Sequence, residues 1–405
     1  MMYDAFQLAA DFLEPMKSAA RVGTAGLAGP WSMFGSTPLG RNLSAAYQVA
    51  SRTGLTHSRP DFEIDSVLCG NQDVAVIEEV ALTLPFGTLL HFKKPTSLPQ
   101  PRVIVVAPLS GHFATLLRST VKTLLADHDV YITDWTNARD VSLDQGEFSF
   151  DAYVDYLIRF MQHLGEGTHL VAVCQPCVQT LVATAIMAEN DDPAQPRSIT
   201  LMAGPIDTRV NPTKVNDLAK SKPMSWFEKN LIAKVPARFA GAGRRVYPGF
   251  LQLTAFVSMN PQRHFKAHQD LFQALVDGDT AKADTTKKFY DEYFAVLDLA
   301  AEFYLETVRL VFQEHTLPLG ALTFRGRKVD LSAIRKTMLF TVEGERDDIC
   351  AVGQTLAAHD LTTGLRPYRK RHHLQPGVGH YGVFSGRKWE GQIYPQVRNL
   401  ILSSE

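Results

Sequence analysis

One stretch of the chain decides the fold, and it reads His169-Leu170-Val171-Ala172-Val173-Cys174-Gln175-Pro176. A short continuous apolar run of this kind is typical of a strand covered on both faces, as in parallel sheets. A helix is predicted directly after it by the apolar residues Val178, Leu181, Val182, Ala185 and Ile186. Cys174 is therefore expected at a strand-to-helix junction, where open α/β sheets carry ligands and catalytic residues.

The same alternation of strand and helix patterns extends to both sides of this stretch. Further strands are predicted at residues 103–107, 129–135, 199–203 and 337–342, and a hairpin at residues 73–93. Helices are predicted around residues 113–125, 154–164, 352–361 and 389–400. Strands that alternate with helices imply an α/β fold, with a mainly parallel sheet flanked by helices and joined by right-handed crossovers.

The alternation stops between residues 207 and 325. Long helical patterns such as Phe289–Phe312 replace it, and the block holds 16 of the 39 Phe, Trp and Tyr residues. We predict that residues 207–325 form a helical cap, inserted into an α/β core of residues 71–206 and 326–405. The aromatic residues of the block serve either as the core of that cap or as a surface that grips an apolar ligand.

Residues 1–70 precede the first predicted hairpin and form an N-terminal extension. A helical pattern is carried by Phe6, Ala9, Phe12, Leu13 and Met16. The Gly-, Pro- and Ser-rich stretch around Gly23–Gly40 predicts irregular structure.

Charge and composition exclude several classes of protein. The 405 residues include 41 Lys and Arg against 42 Asp and Glu, which argues against a nucleic-acid partner or a polybasic membrane-surface protein. Four cysteines are too few for a disulfide framework and favour a reducing compartment. No apolar run approaches the about 20 residues of a membrane span, and Met1-Met2-Tyr3-Asp4 does not resemble a signal peptide. We therefore expect a cytoplasmic protein of undetermined oligomeric state.

Three residues with catalytic chemistry follow predicted strands. Cys174 ends the strand 169–173, Asp347 follows the strand 337–342, and His380 lies between glycines in Gly379-His380-Tyr381-Gly382. Their order along the chain, nucleophile then acid then histidine, is that of the α/β-hydrolase fold. An imidazole can take the proton of a thiol, and a carboxylate on its other nitrogen fixes its tautomer and orientation. We predict a Cys174, Asp347, His380 triad.

Backbone N–H groups must then stabilise the oxyanion that forms at the attacked carbonyl. The N–H of Gln175, directly after the nucleophile, is one candidate. The second is expected from the loop after strand 103–107, at Leu109 or Ser110. Pro176 stands where a small residue is usual, and proline suits the first turn of a helix because its missing N–H has no partner there.

Each assignment has an alternative. Cys174 is otherwise a buried structural thiol, the commonest role of a free cysteine. Asp348 is an alternative acid to Asp347, and His380 is otherwise a turn residue. Cys174 and Cys177 also form a C-x-x-C pattern, which is typical of redox dithiols, although no thioredoxin-like unit surrounds it.

The remaining motifs are weak. His264 and His268 are four residues apart, but no glutamate completes a zinc motif, so a helix surface is the simpler interpretation and no metal is predicted. The basic run Arg366–His373 predicts a solvated strand edge or a turn, with a phosphate contact as the alternative. No Gly-rich nucleotide motif follows any predicted strand, so no resident cofactor is expected.

These motifs together resemble one family, the intracellular polyhydroxyalkanoate depolymerases, also called intracellular poly(3-hydroxybutyrate) depolymerases. The resemblance is carried by Ala172-Val173-Cys174-Gln175-Pro176, by residues 344–350 (Gly-Glu-Arg-Asp-Asp-Ile-Cys) and by residues 379–386 (Gly-His-Tyr-Gly-Val-Phe-Ser-Gly). Residues 133–139 (Thr-Asp-Trp-Thr-Asn-Ala-Arg) and 204–207 (Gly-Pro-Ile-Asp) add to it.

The resemblance implies an α/β-hydrolase fold and a Cys-Asp-His triad. It also implies a substrate of amorphous storage polyester, cleaved at granule surfaces to 3-hydroxybutyrate and its oligomers, with coenzyme A replacing water as acyl acceptor in some relatives. The related polyhydroxyalkanoate synthases have a second glycine where this chain has Pro176, which favours the depolymerase. A synthase-like cysteine acyltransferase and a granule-binding protein without activity are the alternatives.

Overall fold

The computed structural model describes residues 2–28, 37–52, 55–96, 99–259 and 261–405. Its strands are β1 (Ser66–Cys69), β2 (Gln72–Ala75), β3 (Ile77–Leu84), β4 (Gly87–Lys93), β5 (Arg102–Val106), β6 (Asp129–Trp135), β7 (Thr168–Val173), β8 (Ser198–Met202), β9 (Ala233–Lys234), β10 (Arg245–Tyr247), β11 (Leu299–Ala300), β12 (Thr323–Phe324), β13 (Arg327–Lys328), β14 (Met338–Gly344) and β15 (Lys370–Gln375). Its α-helices are α1 (Met2–Ala28), α2 (Pro38–Arg52), α3 (Arg118–Leu124), α4 (Phe150–Leu164), α5 (Cys177–Glu189), α6 (Lys214–Ser221), α7 (Met224–Leu231), α8 (Gly249–Met259), α9 (Pro261–Asp277), α10 (Thr280–Tyr293), α11 (Ala301–Thr307), α12 (Ala358–Leu361), α13 (Gly386–Lys388) and α14 (Tyr394–Ser403).

Eight strands form one sheet in the order β3-β4-β6-β5-β7-β8-β14-β15. β4 pairs antiparallel with both of its neighbours, whereas every pairing from β6 through to β15 is parallel. Counted along the chain within this sheet, the order is 1-2-4-3-5-6-7-8 with the second strand reversed, which is the arrangement of the α/β-hydrolase fold. The predicted fold class is confirmed.

The strand that decides the fold lies in the middle of this sheet. All six residues of β7 are buried, and β7 pairs with β5 on one side and β8 on the other. One face of this part of the sheet is covered by α5, which contacts β7 and β8 and packs against α4. The cap at Ser149, whose Oγ accepts from the N–H of Ala152, begins α4, and Gly165 at φ 76° ends it.

The basic run 366–373 contributes to the edge of the sheet. β15 pairs in parallel with β14 alone, and most of its side chains are half-buried or exposed. This is the solvated strand edge that the sequence predicts, and charged side chains there oppose pairing with another chain.

One predicted helix is wrong. The pattern Phe289–Phe312 is not continuous, because α10 ends at Tyr293 and the chain runs extended before α11 begins at Ala301. We call residues 294–300 the strap. Its backbone is held from two sides: the N–H of Val296 donates to the carbonyl of Thr56 (2.9 Å), and the N–H of Leu297 donates to the carbonyl of Gly111 (2.8 Å). These distant partners outweigh the local helical preference.

The block 207–325 is mainly helical, with α6 to α11 and the small sheet β11-β10-β9. The N-terminal segment contacts it, since α2 packs on α9. The irregular structure predicted around Gly23–Gly40 is wrong at its ends, where residues 23–28 belong to α1 and residues 38–40 to α2, and residues 29–36 lie outside the described part. The division into extension, core and cap stays a prediction. Among the described helices, none has the length and apolar character to cross a membrane.

Candidate functional site

Cys174 stands at a sharp turn between β7 and α5. Its φ of 68° is in the left-handed region, which a residue with a side chain adopts at a cost of about 1–3 kcal/mol when the surroundings enforce it. The surroundings do so here: the N–H of Cys174 donates to the carbonyl of Met202 (2.8 Å), and its own carbonyl accepts from the N–H of Cys177 (3.1 Å). Gly204 allows this close approach, because a Cβ there would lie 2.2 Å from the Cβ of Cys177. The strained turn leaves the Cys174 side chain half-exposed.

Asp347 and His380 contact each other beyond the carboxyl ends of β14 and β15. Nδ1 of His380 lies 2.8 Å from Oδ2 of Asp347, and the Asp347 side chain is fully buried. The other carboxylate oxygen, Oδ1, accepts from the N–H groups of Ile349 (2.9 Å) and Cys350 (2.8 Å). Asp348 is exposed. The structure therefore brings Asp347, and not the alternative Asp348, onto the histidine.

The imidazole of His380 interacts with the Cys174 thiol as well as with Asp347. Burial by itself lowers the pKa of His380, but the charge of the Cys174 thiolate, the hydrogen bonds to Asp347 and Cys174 and the charge of Asp347 outweigh burial and raise that pKa to about 10. The charges of Cys174 and Asp347 thus favour the protonated form of the His380 imidazole, although it is buried. The arrangement can hold a thiolate–imidazolium pair, which is the reactive form of a cysteine nucleophile.

The loops that carry the acid and the histidine are tied to each other. The N–H of Arg346 donates to the carbonyl of Val378 (2.9 Å), and the N–H of Gly377 donates to the Glu345 carboxylate (2.7 Å). Gly344 permits this contact, because a Cβ there would lie 2.9 Å from the Val378 carbonyl oxygen.

A buried glutamate fixes the far end of the acid loop, and sequence reasoning missed it. The Glu343 carboxylate is fully buried and accepts from the N–H groups of Gly353, Thr355 and Leu356 at 2.7 to 3.0 Å. The sequence predicts a helix over residues 352–361, but the N–H groups of Gly353, Thr355 and Leu356 donate to this carboxylate, and only residues 358–361 form an α-helix. The available signal was a charged residue directly after an apolar strand.

The candidate oxyanion loop lies beside the cysteine turn, because β5 and β7 are neighbours with Val106 opposite Ala172. The loop is held from both ends. Its first carbonyl, that of Ala107, accepts from Trp135 Nε1 (2.9 Å) and from the hydroxyl of Tyr153 (3.0 Å). At its far end, the carbonyl of Gly111 accepts from the strap.

Two features concern the predicted N–H donors themselves. Leu109 and Gln175 are buried and Ser110 is half-buried. Neither polar atom of the Gln175 side chain has a hydrogen-bond partner among the described residues. The assignment of their backbone N–H groups as oxyanion donors stays a prediction.

Cys177 is placed as a packing residue. Its side chain is completely buried, its Sγ lies 3.4 Å from the carbonyl oxygen of Ala172, and burial raises the pKa of its thiol well above the ordinary value. Cys174 and Cys177 are both free thiols in this structure. A high thiol pKa in a closed site disfavours dithiol exchange, which requires an accessible thiolate.

A groove of about 780 Å³ opens next to His380. Its lining combines aromatic rings with charged groups, and includes Phe289, Tyr293, Tyr381, Phe384, Arg118 and Glu292. His380 lines the groove whereas Cys174 does not, so the groove reaches the site from the histidine side. Of the aromatic residues in the block 207–325, Phe289 and Tyr293 are the two that face it.

The predicted helix-surface histidines do not form a metal site. In α9, Nδ1 of His264 lies 3.0 Å from the hydroxyl of Tyr290, and Nδ1 of His268 lies 2.8 Å from the carbonyl oxygen of His264. Within the ranges that the structure describes, no group of three or more His, Cys, Asp and Glu side chains is arranged to hold a metal ion.

A family profile described as PHB de-polymerase C-terminus matches residues 203–405, which is half of the chain and includes Asp347 and His380. The chain belongs to this family. A curated relative is also similar to this chain. The poly(3-hydroxyalkanoate) polymerase subunit PhaC from Haloferax mediterranei is 22% identical over 371 residues, which cover 88% of this chain and 69% of that protein. The chain is thus related to proteins named for both the breakdown and the synthesis of polyhydroxyalkanoates.

Solved structures with lipase and hydrolase names are also similar. A lipase from Acinetobacter baumannii AYE is 14% identical with a TM-score of 0.46, covering 81% of this chain and 93% of that chain. The 2-hydroxy-6-oxo-6-phenylhexa-2,4-dienoate hydrolase from Rhodococcus sp. strain RHA1 is 11% identical with a TM-score of 0.44, covering 82% and 99%.

Proposed function

We propose that this protein is a depolymerase that cleaves ester bonds of poly(3-hydroxybutyrate)-type storage polyester through a cysteine acyl-enzyme. The observation that carries the proposal is the hydrogen bond between His380 and Asp347, with the same imidazole coupled to a thiol at a strained turn. Membership of a family named for poly(3-hydroxybutyrate) depolymerases supports the substrate class.

The proposed reaction has two halves. The Cys174 thiolate attacks an ester carbonyl of the polymer, and the N–H groups of Gln175 and of Leu109 or Ser110 stabilise the oxyanion. The acyl carbon–oxygen bond breaks, and His380 gives its proton to the leaving alkoxide oxygen, which departs as a hydroxyl group and leaves a thioester on Cys174. His380, now neutral, then takes a proton from a water molecule as the water oxygen attacks the thioester carbonyl. The carbon–sulfur bond breaks, the hydroxy acid leaves, and the Cys174 thiolate and His380 imidazolium are restored.

The first test replaces the two cysteines of the C-x-x-C pattern one at a time. We expect Cys174→Ala to lower the release of 3-hydroxybutyrate from amorphous granules by about 10⁴-fold or more, because the covalent route is lost. Cys177→Ala is the matched control and should retain turnover, since Cys177 packs inside the core. Equal losses in both variants would contradict the assignment and favour dithiol chemistry.

A second candidate function is a synthase-like acyl transfer, and the PhaC relative favours it. In that reaction the acyl group moves between Cys174 and coenzyme A instead of to water. Incubating native granules with the protein, with and without coenzyme A, separates the two functions. Free 3-hydroxybutyrate supports the depolymerase, 3-hydroxybutyryl-coenzyme A supports transfer, and polymer growth from 3-hydroxybutyryl-coenzyme A supports the synthase.

Association with the granule surface is part of the proposal. Helix α1 carries large apolar side chains at Leu8, Phe12 and Met16, four residues apart on one face and 71%, 77% and 64% exposed. An apolar face of this kind suits contact with an uncharged polyester surface. We expect Phe12→Ser with Met16→Ser to reduce sedimentation with granules while cleavage of a soluble trimer is retained. Binding without any cleavage by the wild type would support the inactive granule-binding alternative.

A further inference from the structure

A second cavity has a volume of about 560 Å³. It and the groove lie on opposite faces of the C-terminal end of α10. Phe289 and Tyr293 face the groove, whereas Tyr290 and Phe294 face this cavity. We call it the Arg139 cavity, after the residue that follows β6 at the same edge of the sheet as the cysteine turn. Its walls come from α1, residues 51–52 and 55–58, Arg139, residues 238–239 and the end of α10.

Two largely buried side chains in this cavity carry polar atoms that lack a hydrogen bond of good geometry. The side chains of Arg139 and His57 are 14% and 9% exposed. Nε of Arg139 and both ring nitrogens of His57 make no hydrogen bond of good geometry to the described residues, although the Val296 backbone lies beside the His57 ring and the Tyr3 hydroxyl beside the Arg139 guanidinium. The nearest carboxylate oxygens are too distant for hydrogen bonds, at 3.7 Å from Arg139 Nε (Asp140) and 4.0 Å from His57 Nδ1 (Asp298). Buried polar groups in native proteins are normally satisfied, so this pair points to a ligand.

The charges around this pair favour an anion. Burial, followed by the charge of Arg139, lowers the pKa of His57 to about 3, so its ring is neutral and offers one N–H donor. The guanidinium of Arg139 lies 4.4 Å above the ring of Phe239, which fixes its plane. Asp298 does not line the cavity, and its carboxylate already accepts from the hydroxyl of Tyr3 and the N–H of Gly249.

The rim of the cavity adds acids and bases in similar number: Asp11, Glu14, Lys17, Arg52, Arg238 and Asp291. Two of the acids are ion-paired with rim arginines, Asp11 with Arg238 at 2.7 Å and Asp291 with Arg52 at 2.5 Å. Arg139 has only the longer contact to Asp140, at 3.7 Å, and its side chain is less exposed (14%) than those of Arg52 (40%) and Arg238 (49%).

We infer that the Arg139 cavity binds a short-chain organic carboxylate. The carboxylate would accept from the guanidinium of Arg139 and the N–H of His57, since a guanidinium matches the geometry of a carboxylate. The apolar body of the ligand would contact Phe6, Leu55 and Phe294, which also line the cavity. This lining favours a carboxylate with a hydrocarbon part over inorganic phosphate.

The test is calorimetric titration of the full chain with sodium 3-hydroxybutyrate, and with inorganic phosphate as a second titrant. The Cys174→Ala background is used throughout, so the outcome is independent of the chemistry proposed at the cysteine. We expect saturable binding of the carboxylate and at least tenfold weaker binding of phosphate. Arg139→Gln should weaken carboxylate binding at least tenfold, and Arg346→Gln, which removes an arginine from the groove beside His380, should not change it.

A second variant guards against misfolding of the first. Ser58 lines the cavity and is exposed, so Ser58→Glu adds a negative charge at the rim without burying it. We expect Ser58→Glu to weaken binding at least threefold. No saturable binding, phosphate binding as tight as that of the carboxylate, unchanged binding in both cavity variants, or loss of binding in Arg346→Gln would each overturn the inference.

Discussion

The groove and the Arg139 cavity share one helix end and differ in character. The groove contains His380, whose ring makes edge contacts with Tyr381 (5.9 Å between ring centroids) and Phe384 (5.8 Å). The cavity contains Arg139 and His57 below a rim of ion pairs. Neighbouring residues of α10 thus face an aromatic surface next to the proposed chemistry and a charged pocket away from it. The aromatic residues of the block 207–325 therefore do not form one uniform surface.

The largest expected effect tests whether the groove side holds the chemistry. Asp347→Asn should lower ester cleavage by about 10³- to 10⁴-fold, because the amide no longer fixes the tautomer of His380. Asp348→Asn is the matched control, since Asp348 is exposed and does not contact the imidazole, and should change cleavage by a few-fold at most. Rates on a soluble 3-hydroxybutyrate trimer give the comparison, and similar losses in the two variants would remove Asp347 from the proposed triad.

The next effect concerns stability on the same side. Glu343→Leu leaves the N–H groups of Gly353, Thr355 and Leu356 without their buried acceptor, and we expect a loss of about 3 kcal/mol or more in the free energy of unfolding. Urea unfolding of this variant beside Glu390→Gln, a substitution of an exposed glutamate, measures the difference. A stability equal to that of the control would mean that Glu343 does not hold the acid loop.

The pKa of His380, on the groove side, depends on the charge of Cys174. The charge of Cys174 opposes burial and contributes to the raised pKa of His380, so Cys174→Ala should lower that pKa by at least about one unit. In the wild type the imidazolium persists above neutral pH, and its contribution to stability is full below the unfolded pKa of about 6.5 and lost as the pH rises towards about 10. Imidazole NMR signals in both proteins report the change, and an unchanged pKa would contradict a thiolate–imidazolium pair.

The smallest effect distinguishes a gripping surface from packing. Phe289 is 41% exposed and lines the groove, so Phe289→Ala should lower kcat/KM for the soluble trimer about five- to tenfold through lost apolar contact. Trp226 in α7 has similar exposure but lines neither cavity, and Trp226→Ala serves as the matched control. Equal values of kcat/KM in the two variants would show that Phe289 contributes only to packing.

The sequence predicts the central sheet well because its strands are buried on both faces. The apolar run before Cys174 and the strand before Asp347 both appear as β7 and β14 within a residue or two of the predicted ends. The preference for Asp347 over Asp348 also agrees with the contact to His380. These features depend on local pattern and on chain order, which a single sequence contains.

The strap and the Arg139 cavity could not be predicted in the same way. Apolar residues continue at helical spacing across residues 289–312, and nothing local reveals that Val296 finds its partner at Thr56. The cavity floor joins His57 and Arg139 from separate parts of the chain. Their lack of hydrogen bonds of good geometry is a property of the folded protein and leaves no pattern in the sequence.

The strap also sets an order of events during synthesis. Residues 55–57 and 111–112 leave the ribosome long before residues 294–297, so their carbonyl groups at Thr56 and Gly111 lack their final partners until most of the chain has emerged. Contacts between segments so distant along the chain form late and slowly. A nascent chain that ends before the strap therefore has an incomplete loop beside Cys174, and the proposed activity arises only near the end of translation.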